Sequence, residues 1–169
     1  MFLLSVIRAD GVCCLLFLKL PKGVVTLYRL KTESSFDSAH FLSGYEGKCK
    51  NIHGHRWRVV AYVFSDELIT DGVQKGMLID FKDFKHILRE ETEALDHALI
   101  IEKGSLQDEL FDMLIKNDFK IISLDFRPTA ENLAKYFYDI LKNRGLNISS
   151  VEVYETPDNC AQYSEKEEM

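Results

Sequence analysis

The sequence has few cysteines, few prolines, no excess of positive charge and no long uninterrupted apolar run. Its 169 residues include four cysteines and three prolines, and the formal net charge is −6. The four cysteines lack the spacing of a disulfide framework, which favours a protein of the reducing cytosol. The acidic balance argues against a non-specific nucleic-acid binder, which would need a basic face. The length and the ordinary composition indicate one soluble globular domain.

The first 26 residues are apolar but lack the features of a membrane span or a signal peptide. Arg8, Asp10 and Lys19 interrupt the run well short of the roughly 20 residues that cross a bilayer. No basic region precedes the run and no small-residue cleavage site follows it. We therefore expect residues 1–26 to be an extension outside the natural product, which would begin at Leu27, because bacterial leucine codons can initiate translation. A membrane-surface anchor is the alternative.

The polarity pattern from residue 27 onward predicts an α+β domain over 27–163 and a charged tail over 164–169. Period-two alternation predicts strands, and apolar residues three and four apart predict helices. The predicted order is strand 28–38, strand 56–64, a short extended piece at 77–80, helix from 81 to about 95, helix 105–116, extended 120–127, helix from 128 to about 144 and strand 150–156. Asp80 is expected to cap its helix, and Leu106, Leu110, Met113 and Leu114 are expected to face inward from theirs. Two consecutive strands favour an antiparallel sheet, with helices on one face.

Three of the five histidines lie within sixteen positions of one another. His53 and His55 are two residues apart, so on a strand both side chains point to the same face. Antiparallel pairing of the two predicted strands brings His40 toward them. Three imidazoles with an open fourth position are typical of a catalytic zinc site. A zinc hydrolase is disfavoured, because no glutamate lies beside the histidines to activate water.

Cys49 lies four residues before His53, in a loop beside Lys48 and Lys50. A structural cysteine is the commoner state of this residue type. Positive neighbours and a nearby metal favour the thiolate, which is consistent with a catalytic base. Direct coordination by the thiol is the third reading, but it would close the coordination sphere. We favour the base.

Three further polar features accompany the histidines. Asp96-His97 follows a predicted helix end, where a salt-bridged terminus is the ordinary reading and a proton relay to the thiol is the functional one. Glu155 shares a strand face with Val151 and Val153, and a buried carboxylate needs partners. A ligand with two parallel N–H donors, such as a guanidine-like heterocycle, would supply them. Glu131 lies in a first helical turn, where acidic residues are favoured in any case.

Six motifs in this order resemble the 6-pyruvoyltetrahydropterin synthase and 6-carboxytetrahydropterin synthase family. They cover about residues 28–163, and their order makes the resemblance specific. The motifs are Phe36-Asp-Ser-Ala-His40, Cys49-Lys-Asn-Ile-His53-Gly-His55, Gly76-Met-Leu-Ile-Asp80-Phe81, Leu95-Asp96-His97, Pro128-Thr129-Ala-Glu131-Asn132 and Glu155-Thr156.

The resemblance implies a T-fold, in which an antiparallel four-stranded sheet carries two main helices on one face. It implies trimers that pair into hexamers, with the strands closed into a barrel and the active sites between subunits. It also implies Zn²⁺ on three histidines, a cysteine proton acceptor, a relay pair and substrate-binding residues. The matching residues are His40, His53 and His55 for zinc, Cys49 as acceptor, Asp96 and His97 as relay, Glu155 as pterin anchor and catalytic residue, and Glu131 and Thr129 as substrate contacts.

The activity implied by the resemblance is that of a cytoplasmic carbon–carbon lyase of queuosine (7-deazaguanine) biosynthesis. Its substrate would be 7,8-dihydroneopterin triphosphate, and its products 6-carboxy-5,6,7,8-tetrahydropterin, acetaldehyde and triphosphate. The alternatives are the pyruvoyl-forming synthase and a non-catalytic zinc-bound protein that binds a pterin or purine. Neither a nucleic-acid nor a membrane partner is expected. The stretch 101–127 is longer than in compact family members, which predicts a helix and a strand inserted at the rim.

Overall fold

The computed structural model describes residues 3–7, 13–17 and 27–165. Its elements are β1 (Leu3–Ile7), β2 (Cys13–Phe17), β3 (Tyr28–His40), β4 (His53–Ser65), α1 (Phe81–Leu95), β5 (Ala98–Glu102), α2 (Asp108–Lys116), β6 (Ile121–Leu124), α3 (Ala130–Asn143), β7 (Ile148–Thr156) and β8 (Asn159–Tyr163). Strands β1 and β2 pair with each other as a separate antiparallel two-stranded sheet. The domain is α+β, as the sequence predicts.

The long hairpin of β3 and β4 is the centre of the main sheet. Each strand has 13 residues, and they pair antiparallel from Tyr28 opposite Ser65 to His40 opposite His53. The two strands predicted from the alternation of polar and apolar residues are confirmed, and both extend further toward the connecting loop. Because of this extension, all three clustered histidines belong to strands rather than to a loop.

The main sheet has six strands in the order β6-β5-β3-β4-β7-β8. The pairs β3–β5 and β5–β6 are parallel, and the other pairs are antiparallel. The expected four-stranded antiparallel sheet is therefore wrong for this chain, whose sheet is mixed and larger. Part of the extra width comes from residues 98–124, where two short parallel strands flank α2. The rest comes from β8, which folds back on β7 after Pro157.

Helices α1 and α3 supply the apolar cover of one sheet face. Side chains on α1 and α3 meet the strand residues in one core, and each of the following is at most 1% exposed: Phe84, Leu88, Leu95, Leu133, Phe137, Leu141, Phe36, Trp57, Val59, Val151 and Val153. Both helices begin at a side-chain cap, and the cap at Asp80 confirms the prediction for α1. The Asp80 carboxylate accepts a hydrogen bond from the Lys82 amide, and the Thr129 hydroxyl accepts one from the Asn132 amide. These bonds satisfy amides that a helix start leaves without a partner.

The third helix, α2, does not bury the face that its pattern suggests. Leu110 is 45% exposed and Met113 is 62% exposed, and no residue of α2 is buried. The expectation that Leu110 and Met113 face inward is therefore wrong, whereas Leu106 and Leu114 are half-buried. The helix connects β5 to β6 at one edge of the sheet. Its apolar side is thus only partly covered within the described part of the chain.

Several expectations concern the chain termini. The expectation that residues 1–26 lie outside the natural product concerns in part residues 1–2, 8–12 and 18–26, which lie outside the described residues. Residues 166–169 of the charged tail lie outside them as well. Within the described part of the chain, no helix combines the length and the apolar character that crossing a membrane requires.

Candidate metal centre

The three histidines meet at the loop end of the central hairpin. His40 lies directly opposite His53, and His55 lies opposite Ser38, so alternation places all three imidazoles on the core face of the sheet. The ring centroids are 4.5 Å apart for His40 and His53, 5.2 Å for His40 and His55, and 4.9 Å for His53 and His55. The hairpin register alone therefore gathers the three rings at one point.

Two backbone carbonyls orient the rings. The Nδ1 atom of His40 lies 2.8 Å from the Pro128 carbonyl oxygen, and Nδ1 of His53 lies 2.8 Å from that of Asn51. A carbonyl only accepts, so each Nδ1 carries the proton and each Nε2 presents its lone pair. The Nε2 atoms of His40 and His55 are buried without a hydrogen-bond partner. Buried nitrogen atoms with free lone pairs that face one another are suited to a cation.

The Glu155 carboxylate completes the cluster. Its Oε1 atom lies 3.4 Å from Nε2 of His40 and 3.6 Å from Nε2 of His55. The candidate ligand atoms of these three residues and His53 all lie within 4.8 Å of one another. Tetrahedral ligands with bonds of about 2.0–2.2 Å lie about 3.3–3.6 Å apart. The donor set therefore fits a divalent cation of the kind that prefers nitrogen and oxygen ligands.

Burial keeps the imidazoles in the form that binds metal. His40 is almost completely buried, and desolvation lowers its pKa to about 4, with the Pro128 carbonyl opposing this shift and His53 and His55 adding to it. Desolvation also lowers the pKa of His55, although the Glu155 carboxylate raises it in part. A metal ligand must be unprotonated, so the lowered pKa values of His40 and His55 favour cation binding at neutral pH.

The metal-free protein is expected to lose stability as the pH falls from 6.5 toward 4. The unfolded chain takes up a proton on His40 near pH 6.5, whereas folded His40 stays neutral until about pH 4. The unfolded state thus binds more protons in this window, so the free energy of unfolding falls with decreasing pH, by about 2–3 kcal/mol at pH 4.5. Urea denaturation of chelator-treated protein at pH 7 and pH 4.5 measures this difference.

A His86→Ala variant is the control, because His86 is an exposed residue of α1 that pairs with Glu90. It should show the same loss between the two pH values. Equal stability of the unaltered metal-free protein at both would contradict the proposed burial of a neutral His40.

Trp57 is a site residue that the sequence reasoning did not single out. Its fully buried ring packs edge-on against His40, with centroids 4.9 Å apart, and against His55 at 5.4 Å. The signal was present in the sequence, because Trp57 follows His53 and His55 at two-residue spacing and must share their face. Its ring limits the rotation of both imidazoles.

Cys49 lies in the loop that joins β3 to β4, within a short 3-10 turn over Lys48–Lys50. Its side chain is half-buried and forms no disulfide. Within the described part of the chain, the cluster of mutually close ligand atoms consists of the three histidines and Glu155, without this thiol. The sulfur thus lies in the neighbouring loop and is not one of the four converging donors.

Asp96 and His97 form a fixed pair at the end of α1. The Asp96 Oδ2 atom lies 2.6 Å from Nδ1 of His97, and its Oδ1 accepts a hydrogen bond from the Asp37 amide at 2.8 Å. The Asp37 amide and His97 lower the pKa of Asp96. The His97 amide donates to the Asp37 carbonyl, and its φ of +53° turns the chain into β5. Asp96 therefore orients an imidazole that is 81% exposed.

The pair lies beside the central hairpin, outside the group of converging ligand atoms. His97 borders a surface hollow together with Asp37, Gly54, Arg56 and His55. The converging ligand atoms belong to the three clustered histidines and Glu155. The exposed His97 imidazole is therefore not one of the donors that could hold a cation.

The start of α3 lies next to the cluster. Pro128, whose carbonyl holds His40, directly precedes the helix cap Thr129. Thr129 is half-buried and uses its hydroxyl for the cap, whereas Glu131 is exposed in the first turn. The structure thus places both predicted substrate contacts at the helix end nearest to the imidazoles.

The fold and the site together define a class of protein: an α+β domain with a candidate metal centre of three histidines from its long hairpin and one carboxylate from β7. Comparison with known proteins specifies the family. Residues 29–166 match the 6-pyruvoyl tetrahydropterin synthase family. The chain belongs to this family.

Individual relatives agree with this membership. The chain is similar to a 6-carboxy-5,6,7,8-tetrahydropterin synthase of Haemophilus influenzae, with 35% identity over 82% of this chain and 100% of the relative. The protein of the same name from Aquifex aeolicus is 37% identical over 70% of this chain and 77% of that relative. The 6-pyruvoyl tetrahydropterin synthase structure of Plasmodium falciparum shares the fold, with a TM-score of 0.60, 21% identity, and coverage of 82% of this chain and 98% of that one.

Proposed function

We propose that this chain is a zinc-dependent carbon–carbon lyase that converts 7,8-dihydroneopterin triphosphate to 6-carboxy-5,6,7,8-tetrahydropterin, acetaldehyde and triphosphate. The product would lead to 7-deazaguanine compounds such as queuosine. The main supporting observation is the convergence of ligand atoms from three imidazoles and Glu155 within 4.8 Å of one another, with Nε2 of His40 and of His55 buried and without a hydrogen-bond partner among the described residues. The choice of the carboxy-forming reaction rests on relatives that carry that name and cover most of the chain.

His40, His53 and His55 would hold the Zn²⁺ ion, and the contacts that two of them make with backbone carbonyls support this assignment. When bound, the ion would act as a Lewis acid toward the substrate side chain. Glu155 borders the cluster and is 29% exposed, so its carboxylate can also accept N–H groups of a molecule bound there. We assign it the pterin ring, together with Thr129 and Glu131 at the start of α3.

Cys49 would remove protons from the substrate side chain as the general base. Its position near the cluster, without membership in it, leaves the thiol available for this role. The role requires a reduced thiol, which is consistent with a cytoplasmic location. Asp96 would hold the His97 imidazole in a fixed orientation, and His97 would return protons to the substrate.

The separation of His97 from the cluster supports an active site shared between chains. The His97 imidazole is 81% exposed and lies outside the group of converging ligand atoms, so we assign the relay for one cluster to another copy. A closed homo-oligomer, a trimer or a hexamer, would repeat the same arrangement at every interface. The open sheet face would then line the inside of the assembly.

The product of the reaction tests the proposal directly. Zinc-loaded protein incubated with 7,8-dihydroneopterin triphosphate is expected to release acetaldehyde and the carboxylated pterin, both measurable by mass spectrometry. A Cys49→Ala variant should be slower by about 10²–10⁴-fold, the typical contribution of a general base. A pyruvoyl product would identify the other reaction of the family, and binding without turnover would identify a non-catalytic pterin-binding protein.

A further inference from the structure

We infer that Arg127 is a positioning residue for Cys49, because its guanidinium connects the loop that carries the thiol to the chain segment that holds His40. This inference rests on the proposed role of Cys49 as the base. It adds a residue that acts through Cys49 and does not touch the substrate.

The loop between β3 and β4 is held almost entirely by its own hydrogen bonds. The Leu42 amide donates to the Cys49 carbonyl at 2.8 Å and closes the loop, and the Lys50 amide donates to the Gly47 carbonyl at 3.3 Å. Nη2 of Arg127 donates to the Ser43 carbonyl at 2.6 Å. Among the described residues 27–165, this is the one hydrogen bond that residues 42–50 receive from outside the loop and its continuation into β4.

Arg127 is itself fixed from two sides. Its Nε atom lies 3.7 Å from the Glu102 carboxylate at the end of β5. Its carbonyl accepts hydrogen bonds from the Thr129 amide at 2.8 Å and from the Asn132 side chain at 3.0 Å. The backbone of Arg127 is thereby fixed to the first turn of α3, while the fork of its guanidinium reaches both the loop and Glu102. A lysine, with a single ammonium group, cannot reproduce this fork.

The next residue connects this anchor to the metal centre. The carbonyl of Pro128 accepts the hydrogen bond that fixes the His40 ring. Consecutive residues thus hold a proposed zinc ligand and the loop of the proposed base. The spacing between the ion and the thiol then depends on one short turn. Loss of the Arg127 side chain would release the loop that carries Cys49 and leave the contact between His40 and the Pro128 carbonyl intact.

Hydrogen exchange and thiol alkylation test this inference. Arg127→Met keeps the apolar stem and removes the donors, and Arg127→Lys keeps only the charge. A hydrogen bond from a charged donor stabilises the loop enough that its loss should speed amide hydrogen exchange in residues 42–50 by roughly tenfold. The rate and pH profile of Cys49 alkylation by iodoacetamide should change. The alkylation of Cys160, an exposed cysteine of β8, should stay the same. In a turnover assay, kcat should fall with unchanged zinc content, and Arg127→Lys should be intermediate.

Arg144→Met is the matched control, because Arg144 is a half-exposed arginine that pairs with Glu90 and Glu91 of α1 and not with the loop between β3 and β4. It should leave loop exchange and Cys49 alkylation unchanged. If Arg127→Met does not fold, Glu102→Gln removes the second anchor of the guanidinium and should produce the same changes in weaker form.

Two results would overturn the inference. If Arg127→Met leaves amide exchange in the loop and Cys49 alkylation unchanged but raises KM, Arg127 contacts the substrate. If the variant loses its zinc, Arg127 supports only the position of His40. Exchange and alkylation do not require turnover. Altered loop readouts in a protein that forms no product would therefore uphold the connection and reject the proposed reaction.

Discussion

Replacement of His55 by alanine is expected to remove the metal and to lower kcat/KM by at least about 10³-fold, because the remaining ligands cannot hold a catalytic ion with its geometry intact. His55 suits this test better than His40. Its side chain is 20% exposed, and among the described residues its Nδ1 forms no hydrogen bond with the backbone, whereas His40 is buried against Pro128. Metal content by mass spectrometry and steady-state kinetics give the two readouts.

His86→Ala serves as the control for this experiment as well, since it removes an exposed imidazole of α1 that lies outside the cluster. It should retain full metal content and turnover. A His55→Ala protein that keeps one equivalent of zinc and most of its activity would show that the three imidazoles do not form the catalytic centre.

Chains that lack different halves of the proton-transfer machinery are expected to restore each other's activity when they assemble together. Cys49→Ala and His97→Ala proteins should each be slower by about 10²–10⁴-fold. If each site combines Cys49 of one chain with His97 of another, an equal mixture should regain up to about a quarter of the unaltered activity, since a quarter of such interfaces are intact. The exposure of the His97 imidazole, outside the group of converging ligand atoms, is the reason for this expectation.

A mixture of Cys49→Ala with His55→Ala is the control for complementation. Cys49 and His55 belong to the part of the site that a single chain supplies, because the β3–β4 loop with Cys49 leads directly into the strand that carries His55. No chain in that mixture has both groups, so activity should not return. Native mass spectrometry verifies that mixed assemblies form. Mixed assemblies without recovery in the first pair would indicate that the relay serves the cluster of its own chain.

The local features of the fold could be predicted because they depend on neighbouring residues. Alternation over 28–38 and 56–64 indicated the hairpin, which the structure extends to Tyr28–His40 and His53–Ser65, and Asp80 marked the start of α1 as its cap. Helical spacing places Leu133, Phe137 and Leu141 on one face of the predicted helix, and all three are fully buried in α3. Long periodic segments carry enough repeats for the pattern to be unambiguous.

The features that the sequence did not reveal depend on contacts between distant segments. Strand β5 is a run of five mostly apolar residues, whose periodicity cannot distinguish a strand from part of a helix. Strand β8 becomes a strand only because β7 offers it an edge. Leu110 and Met113 of α2 are exposed although helical spacing places them on the apolar face, because burial of a helix face is a property of the assembled fold and not of the helix.

The same distinction applies to the site. The spacing of His53 and His55, with antiparallel pairing to His40, predicts three imidazoles that meet at one point. The carbonyls of Pro128 and Asn51 that set the proton positions were not predictable. Backbone groups carry no residue signature, and Pro128 is 88 positions from His40. The contact between Glu155 and the imidazoles likewise depends on the register of β4 with β7.

Zinc X-ray absorption of the loaded protein tests the central claim most directly, because it reports which atoms surround the ion. We predict only nitrogen and oxygen neighbours, at about 2.0–2.2 Å, with no sulfur in the first shell. A sulfur neighbour at about 2.3 Å would place the Cys49 thiol on the metal, which would contradict its role as the base.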